Sequence, residues 1–236
     1  MVVAIDGPAG AGKSTVARRV AARLGCVYID SGAMYRAVAL WALREHVDLA
    51  DLPRLEGMAQ AARIEFAPGG ATVLLNGENV TEAIRIPEVS QAASMVSALA
   101  GVRRALVEKQ RQIGAAQSVV MEGRDIGSVV FPDADVKIFL DADPAARTRR
   151  RAQELERHGE TVSPEEVARE LAERDRRDST RATAPLVQAP GAIRVDTTRL
   201  SIEEVERAIL ELINERTARI RGATVRERSE RDPGSE

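Results

Sequence analysis

Apolar and polar positions alternate along this chain in two rhythms. Residues 2–5, "VVAI", are an unbroken apolar run of the kind found in a strand buried on both faces, and "KSTVARRVAARLG" then switches to helical spacing that Gly25 stops. "CVYIDSG" repeats the strand signal and ends in a polar corner; a helix follows through about His46, with a weaker helical segment over 52–63. Over 64–86 the texture changes: "IEFAPGGATVLLNGENV" has short β-like runs separated by "PGG" and "NG". Asn-Gly between apolar runs is a hairpin signal, so a small antiparallel insertion is expected there. A long helix is predicted over 89–113, followed by strands ending at "SVVM", at "VKIFLDAD" and, from Ala192, at "AIRVDTT". Arg-rich helices join near "HGETVSPEE", where Ser163 can cap a helix with Pro164 first and Glu166 three residues on; Ser201 and Glu204 repeat the pattern. The end, "RGATVRERSERDPGSE", lacks apolar periodicity and is expected to be frayed or disordered.

Strands alternating with helices predict an α/β fold with a central, mostly parallel sheet and helices on both faces. The 236 residues suit one large domain with a small insertion. Composition narrows the function classes. A single cysteine, Cys26, excludes an intramolecular disulfide and a thiolate metal cluster, which fits a reducing cytoplasm. The start lacks the pattern of a secretory leader, and no stretch is apolar long enough to span a bilayer. A net charge of −2 argues against a general nucleic-acid coat. Only 3 of the 34 basic residues are lysines, which makes Lys13 conspicuous; the arginines suit bidentate contacts to phosphate and carboxylate.

The segment "GPAGAGKS" fits Gly-x-x-x-x-Gly-Lys-Ser/Thr between a predicted strand and a predicted helix. Gly7, Gly10 and Gly12 permit a tight loop whose amides point inward, with Pro8, Ala9 and Ala11 between them. Lys13 reaches outer phosphates, Ser14 can ligate magnesium, and Thr15 follows at the helix start, whose field favours anions. Such a loop names ATP or GTP and leaves the reaction open. The Asn-Lys-x-Asp of a guanine-selecting switch is absent.

Four stretches point to what stands opposite. "YIDSGAMYR" places Ser31 at the carboxyl edge of a strand, where open parallel sheets bind ligands, with Tyr35 and Arg36 on the next helix. In "VSQAASMVSALAGVRRALVEKQR", helical spacing puts Arg103 between Val96, Leu99 and Leu106 on an inward face, where a charge needs a partner. "EGRDIG" sets Arg124 and Asp125 at a second sheet edge. In "ELAERDRRDSTR", Arg174, Asp178 and Arg181 continue the stripe begun by Val167 and Leu171. The run "RTRRRAQELERHGE", with Arg147, Arg149, Arg150, Arg151 and Arg157, reads as a lid over donor phosphates or, alternatively, as an RNA-binding patch without aromatic interleaving.

Taken in order, "IDGPAGAGKST", "YIDSGAMYR", "GENVTEAIRIPEVSQAAS", "EGRDIGSVVFPDADVKIFLDA", "ERDRRDSTRATAPL" and "VDTTRLSIEEV" resemble the bacterial cytidylate kinases. The resemblance implies a P-loop nucleoside-monophosphate-kinase fold over 1–214. It has an acceptor-binding region about 31–105, including a β insertion about 64–86, a mobile lid about 147–165, and a charged tail over 215–236. It implies transfer of the terminal phosphoryl of ATP, with Mg2+, to CMP or dCMP; UMP, shikimate or a sugar are the alternative acceptors, and an ATP-dependent RNA-binding regulatory module is the alternative of another class. A cytoplasmic monomer with no stable nucleic-acid or membrane partner is expected, because such a site requires no neighbouring subunit and the composition points to neither partner. Ser31, Asp125, Arg174 and Asp178 would recognise the cytidine, and Arg36 and Arg103 the acceptor phosphate. Tyr35 and Arg124 complete the acceptor side. Lys13, Arg150, Arg151 and Arg181 would act on the transferred phosphoryl. Two positions depart from the family pattern: Ser14 stands where some relatives have glycine, and Glu122 where Asp is common before "GRD".

Overall fold

A computed structural model describes residues 1–67, 70, 72–157, 159 and 161–230, with side chains as far as Ala218. Pro68 and Gly69 of the expected turn, Ala71, His158 and Glu160 of the lid connection, and 231–236 of the tail lie outside the described residues. The strands are β1 (Val2–Asp6), β2 (Val27–Asp30), β3 (Ile64–Phe66), β4 (Val73–Leu75), β5 (Glu78–Asn79), β6 (Val119–Gly123), β7 (Val136–Asp141) and β8 (Ile193–Asp196). Five of them form one parallel sheet in the order β2-β6-β1-β7-β8. Parallel pairing keeps the strand ends in step: Asp6 lies opposite Gly123 and Asp30 opposite Glu122, so three acidic side chains gather at one carboxyl edge.

Strand alternation decides what covers each face. Val3 and Ile5 of β1 join Val120, Ile138 and Leu140 beneath α1 (Lys13–Leu24) and α8 (Ile202–Glu230), which contribute Val16, Val20, Ile209 and Ile213. Ala4, between them, faces the other way with Ile29 and Met121, where Val107 of α5 (Ala100–Ala116), Ile126 and Val130 close the core. Gly25 ends α1 in the left-handed region at φ 63°, and Ser201 and Glu204 exchange reciprocal hydrogen bonds ahead of α8. α8 runs past residue 214, where the sequence pattern ends the domain. Ile213 is its last buried residue among those with described side chains, so apolar periodicity stops where the helix leaves the core.

A second core forms around α2 (Ser31–Arg44), α3 (Leu52–Ala61), α4 (Pro87–Val96) and the antiparallel sheet β3-β4-β5. Asn76 and Gly77, at φ 52° and 87°, make the tight link between β4 and β5 that the Asn-Gly pair predicts. The single helix expected over 89–113 is two helices. Ser97 to Leu99 close α4 with three-residue hydrogen bonds, Ala98 N to Met95 O and Leu99 N to Val96 O, and Leu99 then turns extended at ψ 120°. The break lets α4 pack on α2 while α5 packs on α3. Arg103 is buried as expected, although Leu99 caps α5 and does not share a helical face with it. The third cluster joins α6 (Pro144–Arg157) to α7 (Pro164–Thr180) through Ala152, Leu155, Val167 and Leu171, resting on Ala9 of the glycine loop. Ser163 caps α7 as its sequence predicts. No described helix is long and apolar enough to cross a membrane.

Candidate functional site

The loop between β1 and α1 is built so that backbone can approach backbone. At Gly7 a Cβ would run into the Leu140 carbonyl of β7, and at Gly10, φ 75°, it would lie 3.0 Å from the Arg147 carbonyl oxygen of α6. Gly12 starts α1 in the left-handed region and supplies no side-chain cap, which leaves the first helical amides facing the cleft. Lys13, buried beside them, donates to the Pro8 carbonyl at 2.7 Å. Burial, with Arg124 and then Arg174 close by, pushes its ammonium pKa down to about 7 despite Glu122 and Asp6 nearby. Ser14 donates to Glu122 at 2.5 Å, and the Tyr28 hydroxyl donates to the same carboxylate oxygen at 3.3 Å. Burial and the neighbouring Asp30 hold the Glu122 carboxyl above its ordinary value.

From this loop a cleft of about 420 Å³ runs between the sheet edge, α2, α4, α5 and α7. Its far wall is an alternation of guanidinium and carboxylate. Arg36 pairs with Asp30 at 2.7 Å, and Asp30 also caps α2 by accepting from Ala33 N at 2.9 Å. Ser31 donates to the Glu122 carbonyl at 2.7 Å. Arg103 pairs with Asp125, donates to the Ser97 carbonyl at 3.1 Å and lies over the Tyr35 ring, 5.7 Å from its centre. Arg124 donates to Asp178 at 2.8 Å, while Arg181 reaches Asp125 at 3.5 Å and Asp178 at 3.8 Å. Burial raises the Asp125 carboxyl more than Arg103 and Arg181 lower it. Asp178 is also penalised by burial, but Arg124 and Arg174 outweigh that and hold it below the usual range. Arg174 makes no ion pair among the described residues; burial and the charge of Arg124 bring its pKa down to about 10, and its buried Nε has no hydrogen-bond partner. A cleft in which burial, and then a neighbouring guanidinium, lowers the basicity of a lysine and an arginine favours the arrival of negative charge.

The residues expected from sequence at Lys13, Ser14, Ser31, Tyr35, Arg36, Arg103, Arg124, Asp125, Arg174, Asp178 and Arg181 all line this cleft, as do Ala9, Gly10 and Thr15. Two of the lid arginines, Arg150 and Arg151, part company. Arg151 lies on the wall, paired with Glu154 at 2.9 Å, whereas Arg150 donates to the Thr197 hydroxyl at 3.0 Å and its carbonyl at 2.5 Å, off the cleft lining. Thr197, Ser94 and Arg177 escaped the sequence reading, and Arg147, expected only as one of the lid arginines, makes contacts that its position in that run does not reveal. Thr197, buried at the end of β8, lies 3.2 Å from the Ala11 carbonyl and ties the last strand to the glycine loop. Arg147 joins the Ala9 carbonyl at 3.2 Å to Asp175 of α7 at 2.5 Å, and Arg177 of α7 donates across to Ser94 of α4 at 3.1 Å. The sheet-edge rule that singled out Ser31 applies equally to Thr197; nothing local marks Ser94 or Arg177.

No group of three or more His, Cys, Asp or Glu side chains able to hold a metal occurs among the described residues. The oxygen pair Ser14 and Glu122 does suit a hard cation that keeps its remaining ligands from water and phosphate.

A family model described as cytidylate kinase matches residues 3–215. The cytidylate kinase of Solibacter usitatus (strain Ellin6076) is 62% identical over 218 residues, covering 92% of this chain and 93% of its own. That of Pelotomaculum thermopropionicum is 52% identical over 211 residues, covering 88% and 93%. Among solved structures, a shikimate kinase from Bacteroides thetaiotaomicron aligns over 91% of this chain and 98% of its own at 16% identity, with a TM-score of 0.48, too loose a likeness to bear on the acceptor.

Proposed function

The chain belongs to the cytidylate kinase family, and from that premise we infer how its own residues divide the work of phosphorylating CMP and dCMP with ATP. One observation carries the division: Lys13 and Arg174 are buried in the cleft beside Arg124, and burial, followed by the charge of Arg124, lowers the basicity of both, a loss that arriving phosphates would offset. The loop amides and Lys13 hold the donor phosphates. Arg36 and Arg103 bind the acceptor phosphate, Ser31, Asp125, Arg174 and Asp178 orient the cytidine, and Tyr35 carries Arg103. Arg124, Arg151 and Arg181 stand between the two halves, where charge develops during transfer.

The reaction is a direct in-line displacement: an oxygen of the CMP phosphate attacks the terminal phosphorus of ATP, and ADP leaves. That oxygen is already ionised, so no protein base is needed, and catalysis is alignment plus cationic stabilisation. Magnesium would arrive with ATP and be met by Ser14 and Glu122; when bound it neutralises part of the phosphate charge. α6 and α7, resting on Ala9, exclude the competing acceptor, water. The absence of a disulfide pair supports a cytoplasmic setting.

The test is ADP release with ATP and magnesium across CMP, dCMP, UMP, AMP, GMP and shikimate. Turnover concentrated on CMP and dCMP is expected. Equal turnover on shikimate or UMP, or none that depends on an acceptor, would refute the assignment.

A further inference from the structure

Asp6 is a buried carboxylate that forms no part of the cleft wall. It is the last residue of β1, immediately before Gly7, yet its side chain reaches across to the turn after β6. One oxygen accepts the Ile126 amide at 2.8 Å and the other the Gly127 amide at 2.7 Å. Those amides directly follow Arg124 and Asp125. The turn closes on itself through the Asp125 carbonyl, which accepts from Val129 at 2.9 Å and Val130 at 3.2 Å, while the Asp125 side chain meets Arg103 and Arg181. Residue 6 therefore connects two points 120 positions apart: the root of the donor loop and the turn that bears acceptor-side charge.

We propose that Asp6 is a positioning residue that fixes the offset between the donor phosphate loop and the acceptor-contacting pair Arg124 and Asp125. The proposal rests on the division of the cleft given above. β1 does not need this side chain to stay in place, because its backbone is paired with β6 on one side and β7 on the other. The contact also demands a carboxylate. Two N–H donors converge on two acceptor oxygens, and an amide side chain would present one oxygen and one clashing NH2. Keeping a charge there is costly: burial, with Asp125 adding repulsion, raises the Asp6 carboxyl to about 6 even though both amides and Lys13 favour the ionised form. Gly127 carries no side chain to crowd the approach; a Cβ would lie 3.4 Å from the Asp6 carboxylate and 3.0 Å from Lys137 Cδ. An error of about 1 Å in such an offset is enough to slow transfer roughly a hundredfold.

The experiment compares the full chain with Asp6→Asn, Asp125→Asn and the double variant, reading kcat, KM for CMP, the dissociation constant of a fluorescent ATP analogue, and thermal stability. For Asp6→Asn the expected result is a kcat lower by roughly tenfold to a hundredfold and a raised KM for CMP, with ATP-analogue affinity within about twofold. In the double variant the Asp6 loss should be smaller than in the wild-type background, because part of it acts through Asp125 and the rest through Arg124. ATP affinity falling as far as CMP affinity, or losses that simply multiply, would overturn the proposal and leave Asp6 as a prop for the glycine loop. Should Asp6→Asn fail to fold, Asp6→Glu keeps the charge and lengthens the strut by one methylene. The same kcat loss with ATP affinity retained is expected, and full CMP turnover in that variant would contradict the proposal.

Discussion

The two ends of the cleft are built from different materials. The end that we assign to the donor is backbone: glycines packed against the carbonyls of Leu140 and Arg147, helix amides without a cap, and one lysine folded onto Pro8. The end that we assign to the acceptor is side chain: Arg36, Arg103, Arg124 and Arg181 held by Asp30, Asp125 and Asp178 from four separate stretches of sequence. A phosphate chain looks much the same on every nucleoside triphosphate, so a rigid cradle of amides serves it. Choosing one acceptor among several needs groups whose direction is individually set, and each must be kept satisfied while the cleft is empty. The carboxylates do both, because each fixes an arginine and offsets part of its charge.

Substitutions should separate the ends, starting with the largest effect. Lys13→Ala removes the one lysine at the donor loop and should lower kcat by roughly a thousandfold while CMP affinity changes little, read by steady-state kinetics and CMP titration. Asp125→Asn strips a carboxylate from between two buried arginines. It should cost about 3 kcal/mol of stability in denaturant unfolding and raise the KM for CMP, with ATP affinity less affected. Glu122→Gln loosens the hold on the Ser14 hydroxyl and should weaken magnesium dependence roughly tenfold, read as the magnesium concentration giving half-maximal rate. pH should act on the donor end. Lys13, at about 7 in the free protein, is protonated when it faces phosphate, so the complex holds more protons than the free enzyme above that value. ATP affinity should then fall as pH rises through about 7, by at most roughly tenfold per unit. Arg150→Ala should change least: its guanidinium is occupied by Thr197, and KM for CMP should stay within about twofold.

The same contrast explains what the sequence reveals. The donor loop is legible because its parts are neighbours: glycine spacing, lysine and helix start occupy one short stretch. The hairpin is legible for the same reason, in Asn76 and Gly77. The break between α4 and α5 is not, because Ser97, Ala98 and Leu99 include no proline or glycine and carry apolar spacing straight through. Arg103 therefore lands inside the cleft on a geometry other than the one its spacing suggests. Arg150 and Arg151 are adjacent in a run with charge on nearly every side, so periodicity cannot say which faces the cleft; Thr197 decides it. The role of Asp6 is invisible to local patterns because its partner is 120 residues away, and the end of β8 marks Thr197 without revealing its partner 186 residues away.

Lys13 reports directly on a cleft whose buried cations lack negative charge until phosphate arrives. With three lysines in the chain, their side-chain resonances can be assigned and titrated by NMR, with and without ATP. Lys13 is predicted to titrate near 7 in the free protein and to move back up towards the ordinary lysine value when ATP binds. An ordinary value in the free protein, or one that ATP leaves unmoved, would contradict the account.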